Sequence, residues 1–543
     1  MEVYDHKQII KELYDIQKIK NFQMKTLSEL VKRARSSPLY KNKLQEVKEL
    51  EDLQKLSLTF YDDIASTIST FGLEKTLLEP PLKCWQTSGY TSNSKKFYFS
   101  KNDIDSIAEI AARIGYIFGL RKGDVVWNLC APEPYASGPI LHLVAEKLNL
   151  QEIFTPLTKT SDIIRGLKTV SKISRIDAIC GTPVIYSIIG EIINEPHTFR
   201  ENVSKKLTKK LKLKFFADIA SKIYLRSIDY QKLHHIFSEI NKGFFFGEIL
   251  ESYRQKLRKL CPKISPREVY GSTELIVGAT QLKEEEKGLS VWLDWFIPEI
   301  VEPSEIIKAR KDRNYQIESI PWWKWYSGLR GELVITKNWF CLPLIRYPTG
   351  DVVEVVTQSK PITVYFNEEK LTFNFPLIKI LGRVSEIINF SFPQEEIRVM
   401  GIGNLYSRQL REAMEDVKKF GKVKNWKLHV YKDVFLPLLD PQNQKNKEVG
   451  PFTKLTFQVI PENLQNQEKF REEIITSIRK HSQDLNFILE KMELAYSRDL
   501  INKLVNVEIL APEEYEKIEK EIEKRIKEGR PLGQIKPKQI YFH

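Results

Sequence analysis

Strand and helix patterns alternate between residues 84 and 185, and this alternation limits the chain to few architectures. "KFYFS" (96–100) reads as a strand. "NDIDSIAEIAARIGYIFG" (102–119) sets Ile104, Ile107, Ala108, Ala111 and Phe118 at helical spacing, with Ser100 or Asn102 placed to cap it. "VVWNLC" (125–130) reads as a buried strand. "IDAIC" (176–180) is another, followed by the turn "GTP" (181–183) and a helix beginning near Pro183. Such alternation predicts an α/β fold, a sheet with parallel strands covered by helices. Short strands and tight turns follow in "REVYGSTEL" (267–275), "LSVWLDWFIPEIVEP" (289–303), "GELVIT" (331–336) and "LPLIRYPTGDVVEVV" (342–356). A second region begins near "GRVSEIINF" (382–390) and holds a helix over 407–420, strands at "KLHVYK" and "KLTFQVIP", then helices. Residues 1–60 and most of 200–262 read as helical, and "LDPQNQKNKEVGP" (439–451) as a polar loop.

With 543 residues the chain exceeds one ordinary core, and the expected domains are 1–381 and 382–543. Hydrophobic residues at 42% and charged residues at 29% predict a folded chain. The cysteines, Cys84, Cys130, Cys180, Cys261 and Cys341, form no CxxC pair, which argues against a zinc cluster or disulfide framework and fits a reducing cytoplasm. The first twenty residues lack the apolar stretch of a signal peptide, and no run of 18 apolar residues suggests a membrane span. The formal charge of +13 comes from 84 Lys and Arg against 71 Asp and Glu. Most are interleaved, as in "EEYEKIEKEIEKRIKE" (513–528), a solvated helix with i,i+4 pairs. "SKKLTKKLKLK" (204–214) reads as a solvated basic face. With no zinc-finger, RNP-type or basic-zipper pattern, nucleic acid is not an expected partner.

"TSGYTSNSKK" (87–96) combines hydroxyls, one glycine and two lysines, groups that can hold phosphate, although alone it is equally a polar turn. It is followed in order by "YGSTE" (270–274), "GELVIT", "RYPTGD" (346–351), "GRVSEI" and "GQIKPK" (533–538). This succession resembles the adenylate-forming enzymes, the acyl-CoA synthetase and luciferase type. Within them it is most similar to phenylacetate-CoA ligase-like proteins, over residues 30 to the end.

The resemblance implies a large N-terminal adenylate-forming domain with mixed sheets covered by helices, and a smaller mobile α+β C-terminal domain. It implies an acyl-AMP made from a carboxylic acid and ATP with Mg²⁺, then transferred to coenzyme A. Thr87, Ser88, Gly89, Thr91 and Lys95 would grip phosphate, with Tyr90, Ser92 and Ser94 departing from the usual loop. Tyr270 and Gly271 would wall the adenine, helped by Gly247 and Glu248. Thr273 and Glu274 would act at the reacting phosphate, Glu274 as the Mg²⁺ carboxylate. Asp351 would accept from the ribose hydroxyls and Arg383 would reach ribose or phosphate; Pro348 stands where arginine is common. Ser385 would be the hinge and Lys536 the adenylation lysine, with Lys538 as fallback. Tyr135 would line the acyl pocket or pack in the core, Gly401 and Gly403 would meet the thiol arm, and His142 reads as structural.

The expected partners are therefore a small carboxylic acid, ATP and coenzyme A, and a homodimer is compatible with the sequence. Two other readings stand beside the ligase. One is an acyl-amide synthetase or a coenzyme F390 synthetase-like adenylylating enzyme. The other is a degenerate, non-catalytic nucleotide-binding relative.

Overall fold

The computed structural model describes residues 15–41, 43–87, 94–158, 160–197, 228–366, 369–390, 404–439, 446–495, 498–511, 513–528 and 538–543. They fall into two compact units. One holds the chain up to Thr349 together with Val353–Ile380; the other holds Gly350–Val352, the chain from Leu381 to Glu528 and the C-terminal residues.

The first unit begins with a helix, Ile16–Ala34, capped by the Asp15 carboxylate. A small hairpin follows, β1 (Lys83–Gln86) against β2 (Lys96–Phe99), with Trp85 opposite Phe97. Strands β3 (Val125–Asn128), β4 (Gln151–Phe154), β5 (Ala178–Gly181), β6 (Lys242–Phe246) and β7 (Ser265–Tyr270) pair in parallel in the order β4-β3-β5-β6-β7. Beyond β7 the sheet turns antiparallel through β8 (Ala279–Thr280) and β9 (Leu289–Val291). It continues with β10 (Ile297–Val301), β11 (Ser319–Pro321), β12 (Arg330–Lys337), β13 (Leu344–Phe366) and β14 (Glu369–Arg383), in the order β9-β14-β13-β12-β10-β11. A mixed sheet covered by helices was the expected architecture.

Alternation along the parallel strands explains the two-sided burial. Val126, Cys130, Ala178, Cys180 and Phe244 join one core with the helix Lys101–Ile117. Trp127, Leu129, Ile179 and Phe245 join another with the helices Thr160–Val170, Pro183–Asn194 and Tyr230–Glu239. The helix at 101 starts where its cap allows. Ser100 Oγ accepts the amide of Asp103, and Asp103 Oδ2 accepts the amide of Ser100, which makes Ser100 rather than Asn102 the cap.

Two expectations give way. The strand near 342–356 extends through Phe366, because pairing with β14 carries it across the polar run 357–361; Thr363 and Thr372 face each other at 3.2 Å and Ser359 bonds Asn374. The described residues of the loop expected at 439–451, namely 439 and 446–451, are strand. In the second unit β17 (Lys422–Leu439) and β18 (Asn446–Glu462) form a long antiparallel hairpin, which follows β15 (Ile388–Asn389) and β16 (Asn404–Leu405). Parallel strands β19 (Val505–Ile509) and β20 (Ile540–Phe542) flank the hairpin. Leu428 and Phe457 pair across the hairpin and share a core with Leu410, Phe470 and Ile474 from the helices Ser407–Asp416 and Gln467–His481. Among the described residues no helix is long and apolar enough to cross a membrane.

Candidate active site

Where helix-covered strands run parallel, ligands bind outside their carboxyl ends. β6 and β7 are parallel neighbours, with Phe246 opposite Val269, so the residues leaving them lie side by side. Gly247 leaves β6 at φ +82°, a left-handed conformation that suits glycine, and Glu248 follows. Tyr270 ends β7, buried at 9% exposure, and its ring packs against Gly278. The turn is closed by Gly278 N–H donating to the Tyr270 carbonyl at 2.9 Å. It is tight: a β-carbon on Gly271 would lie 2.0 Å from the Ile276 carbonyl oxygen. Ile276 itself sits at φ +69°, a strained conformation for a β-branched residue.

This turn meets the β1–β2 hairpin. Thr273 Oγ1 lies 3.5 Å from the Gln86 carbonyl, one residue before Thr87. Thr87 and Lys95 close the base of the loop between them: Thr87 N–H donates to the Lys95 carbonyl at 2.9 Å, and Lys95 N–H to Thr87 Oγ1 at 3.0 Å. The Lys95 ammonium donates to Tyr347 Oη at 3.1 Å and sits 5.5 Å and 5.6 Å from the Tyr347 and Tyr61 ring centres. Gln86 N–H donates to the Pro134 carbonyl, which sets Tyr135, buried, beside the same hairpin. Ser88, Gly89, Thr91, Lys536, Gly401 and Gly403, and with them Tyr90 and Ser92, lie outside the described residues.

In the second unit Asp351, 7% exposed at its side chain, pairs with Arg383 Nε at 3.0 Å. Gly350 before it lies at φ +80°. Ser385 is exposed in the short turn Val384–Glu386. Lys538 lies 5.0 Å from the Tyr541 ring centre. His142 is no apolar-face residue: it is exposed, and its Nδ1 meets Glu152 Oε2 at 2.8 Å, the carboxylate raising its pKa.

Sequence reading missed the groups behind the 270–278 turn. Trp339 Nε1 donates to the Glu274 carbonyl at 2.8 Å and Trp295 Nε1 to the Leu275 carbonyl at 2.9 Å. Lys337, 6% exposed, donates to the Trp295 carbonyl at 2.8 Å from between the two indoles. The density of tryptophan in "VWLDWF" and "TKNWF" was the available signal. Burial pushes the Lys337 pKa down to about 7, against the opposing pull of Asp103 and Asp294. Between pH 7 and the unfolded value near 10.5, the unfolded chain holds a proton that the folded chain lacks, so this group adds stability as pH rises through that window. Wild type should gain stability relative to Lys337→Met by up to roughly 1.4 kcal/mol per pH unit above pH 7, with a flat difference below it. Urea midpoints at pH 6, 7, 8 and 9 measure this, and a difference independent of pH would refute it.

No established protein-family profile matches the chain. It is 21% identical over 388 residues to the phenylacetate-coenzyme A ligase of Pseudomonas putida, which covers 71% of this chain and 70% of that protein. Its fold matches a 2-hydroxyisobutyryl-CoA ligase, solved in the postadenylation state with 2-HIB-AMP, at a TM-score of 0.61 over 97% of this chain and 96% of the other, with 15% identity. The two proteins share one fold. An acyl acid amido synthetase shares this fold at a TM-score of 0.58, over 99% of this chain and 93% of the other, with 12% identity. In this chain the "YGSTE" turn and the base of the 87–95 loop are thus neighbours within one unit, while Asp351 and Arg383 are paired in the other.

Proposed function

We propose that this protein is an ATP- and Mg²⁺-dependent acid–thiol ligase that forms an acyl-CoA from a carboxylic acid, in the manner of phenylacetate-CoA ligase. One observation carries the reading: Thr273 of "YGSTE" approaches Gln86 at the base of the 87–95 loop, so two segments about 180 residues apart in the chain converge where β7 ends. The similarity to a phenylacetate-coenzyme A ligase supports coenzyme A as the acceptor.

The chemistry is two displacements. A carboxylate oxygen of the acid attacks the α-phosphorus of ATP, and pyrophosphate leaves. The sulfur of coenzyme A then attacks the acyl carbon, AMP leaves, and the thiol proton goes to solvent. Lys95 is a fixed cation at the loop base, with its aromatic cage limiting its rotamers, and it stabilises the phosphates electrostatically. Tyr270 and Gly271 offer a flat wall to adenine, with Gly247 and Glu248 beside them. Asp351 takes the ribose hydroxyls and Arg383, already its ion-pair partner, holds the carboxylate in place for them. The buried Glu274 carboxylate, with the Thr273 hydroxyl next in sequence, would supply hard oxygen donors of the kind Mg²⁺ takes. Bound there, the ion would neutralise phosphate charge. Tyr135 lines the acid pocket, Ser385 is the hinge, and Lys536 stabilises charge at the α-phosphate during adenylation.

Pyrophosphate exchange with a panel of aryl, arylacetic and aliphatic acids tests the reading. Acid-dependent exchange followed by thioester on adding coenzyme A supports it; amide formation with amino acids in place of thioester would move the protein to the amido synthetases. No exchange with any acid, together with tight nucleotide binding, would leave a non-catalytic relative. Lys536→Ala should slow acyl-AMP formation by roughly 10²–10³-fold. It should leave thioester formation from supplied acyl-AMP nearly intact, as single-turnover assays of each step would show. Equal losses in both steps would remove Lys536 from this role.

A further inference from the structure

The turn at 271–276 is strained, yet it carries Thr273 and Glu274, and strain persists only where the surroundings over-determine it. Its surroundings are aromatic. Trp295 and Trp339 pack edge to face, ring centres 5.3 Å apart at 85°. Trp339 packs on Phe99 of β2 at 5.1 Å, and Phe99 on Trp85 of β1 at 5.0 Å. The row therefore runs from the strands that hold Thr87 and Lys95 to the two indoles that bond the turn. Its far end is fixed by hydrogen bonds. Lys337 Nζ lies 3.1 Å from the Trp295 ring centre and 4.5 Å from that of Trp339, and donates to the Trp295 carbonyl. Asp103 accepts the amides of Phe340 and Cys341, which anchors the segment just after Trp339.

We propose that Trp295 and Trp339 are positioning residues that hold the strained 271–276 turn in register with the β1–β2 hairpin, so that Thr273 and Glu274 meet the same nucleotide phosphates as Thr87 and Lys95. The two indole N–H groups donate to consecutive carbonyls, those of Glu274 and Leu275, on the N-terminal side of Ile276, the residue at positive φ. Two rigid donors on adjacent peptide groups fix the plane of each peptide and leave the turn no route to relax. The rings supply the core volume; the N–H groups supply the register. This rests on the nucleotide-binding reading above.

The test separates the N–H from the ring. Trp295→Phe and Trp339→Phe keep an aromatic side chain and remove the donor. Trp325→Phe is the control, since its indole donates to the Ile320 carbonyl of β11 and not to the turn. In the full-length protein, MgATP affinity is measured by calorimetry and amide exchange across 271–278 by mass spectrometry. Each test variant should bind MgATP about tenfold more weakly, since a buried carbonyl loses its donor, and should exchange faster at 271–278. The control should match wild type in both. Unchanged exchange in the test variants overturns the bracket. Faster exchange with unchanged affinity overturns its positioning role, as does an equal loss in the control. Wild type that fails to bind MgATP overturns the nucleotide reading, and the proposal with it; wild type that binds while the variants bind equally well overturns the proposal alone.

Discussion

Glu299→Gln is expected to destabilise the first unit by about 3–5 kcal/mol, the range found when one partner of a buried ion pair is removed. Arg346 and Glu299 are 1% and 0% exposed. The guanidinium grips the carboxylate with two bonds, Nε to Oε2 at 3.0 Å and Nη2 to Oε1 at 3.1 Å. Its remaining donors reach Ser319 Oγ and the carbonyls of Gln54 and Leu56. Ser319 Oγ in turn donates to Glu299 Oε1 at 2.6 Å. One cation thus ties β10, β11, β13 and the segment at 54–56 together. Arg346 also holds a left-handed backbone conformation, φ +47°, that the network must maintain. Glutamine keeps the shape but removes the charge, leaving the arginine buried and uncompensated. Urea unfolding followed by tryptophan fluorescence reads this unit selectively, since eight of the nine tryptophans (all but Trp426) lie in it. The double variant Glu299→Leu/Arg346→Met should recover most of the loss, because the penalty belongs to the orphaned charge. A single variant as stable as wild type would show that solvent reaches the pair.

Gly271→Ala is expected to lower pyrophosphate exchange by about a hundredfold, the scale of a 1 Å misplacement of reacting groups. The added methyl would sit 2.0 Å from a backbone carbonyl, that of Ile276, and backbone cannot swing aside as a side chain can. The turn must open, taking Thr273 away from Gln86 and moving Glu274 against the indoles behind it. Far-UV circular dichroism and the fluorescence unfolding curve distinguish this from loss of the fold. A folded variant with wild-type exchange would refute the claim that this turn sets the site.

Much of this protein was legible in its residues. Patterns between 84 and 185 located β2, β3, β5, the helix at 101–117 and the helix starting at Pro183, because burial on both faces of a covered sheet demands those residues there, but did not single out β4 or the helices Ser137–Leu148 and Thr160–Val170. Small and acidic residues after a strand marked the turn at 270–274, since only glycine admits the close carbonyl at 271. The long hairpins were less visible. Polar runs such as 357–361 carry no strand signal of their own, and the partner strand supplies the hydrogen bonds that hold them extended.

What the sequence by itself determined was the order of elements and the kinds of group available: hydroxyls and a lysine at 87–95, an aromatic and a carboxylate at 270–274, an acid at 351 and a base at 383. Which of them meet was decided by the tertiary structure. Lys95 is caged by tyrosines 252 positions ahead and 34 behind, Asp351 is held by Arg383, and Trp339 and Trp295 bond the turn of Glu274 from the far side of the core. Periodicity records only which face of its own element a residue occupies. Contacts between distant segments arise when whole layers pack, and no local pattern encodes that pairing.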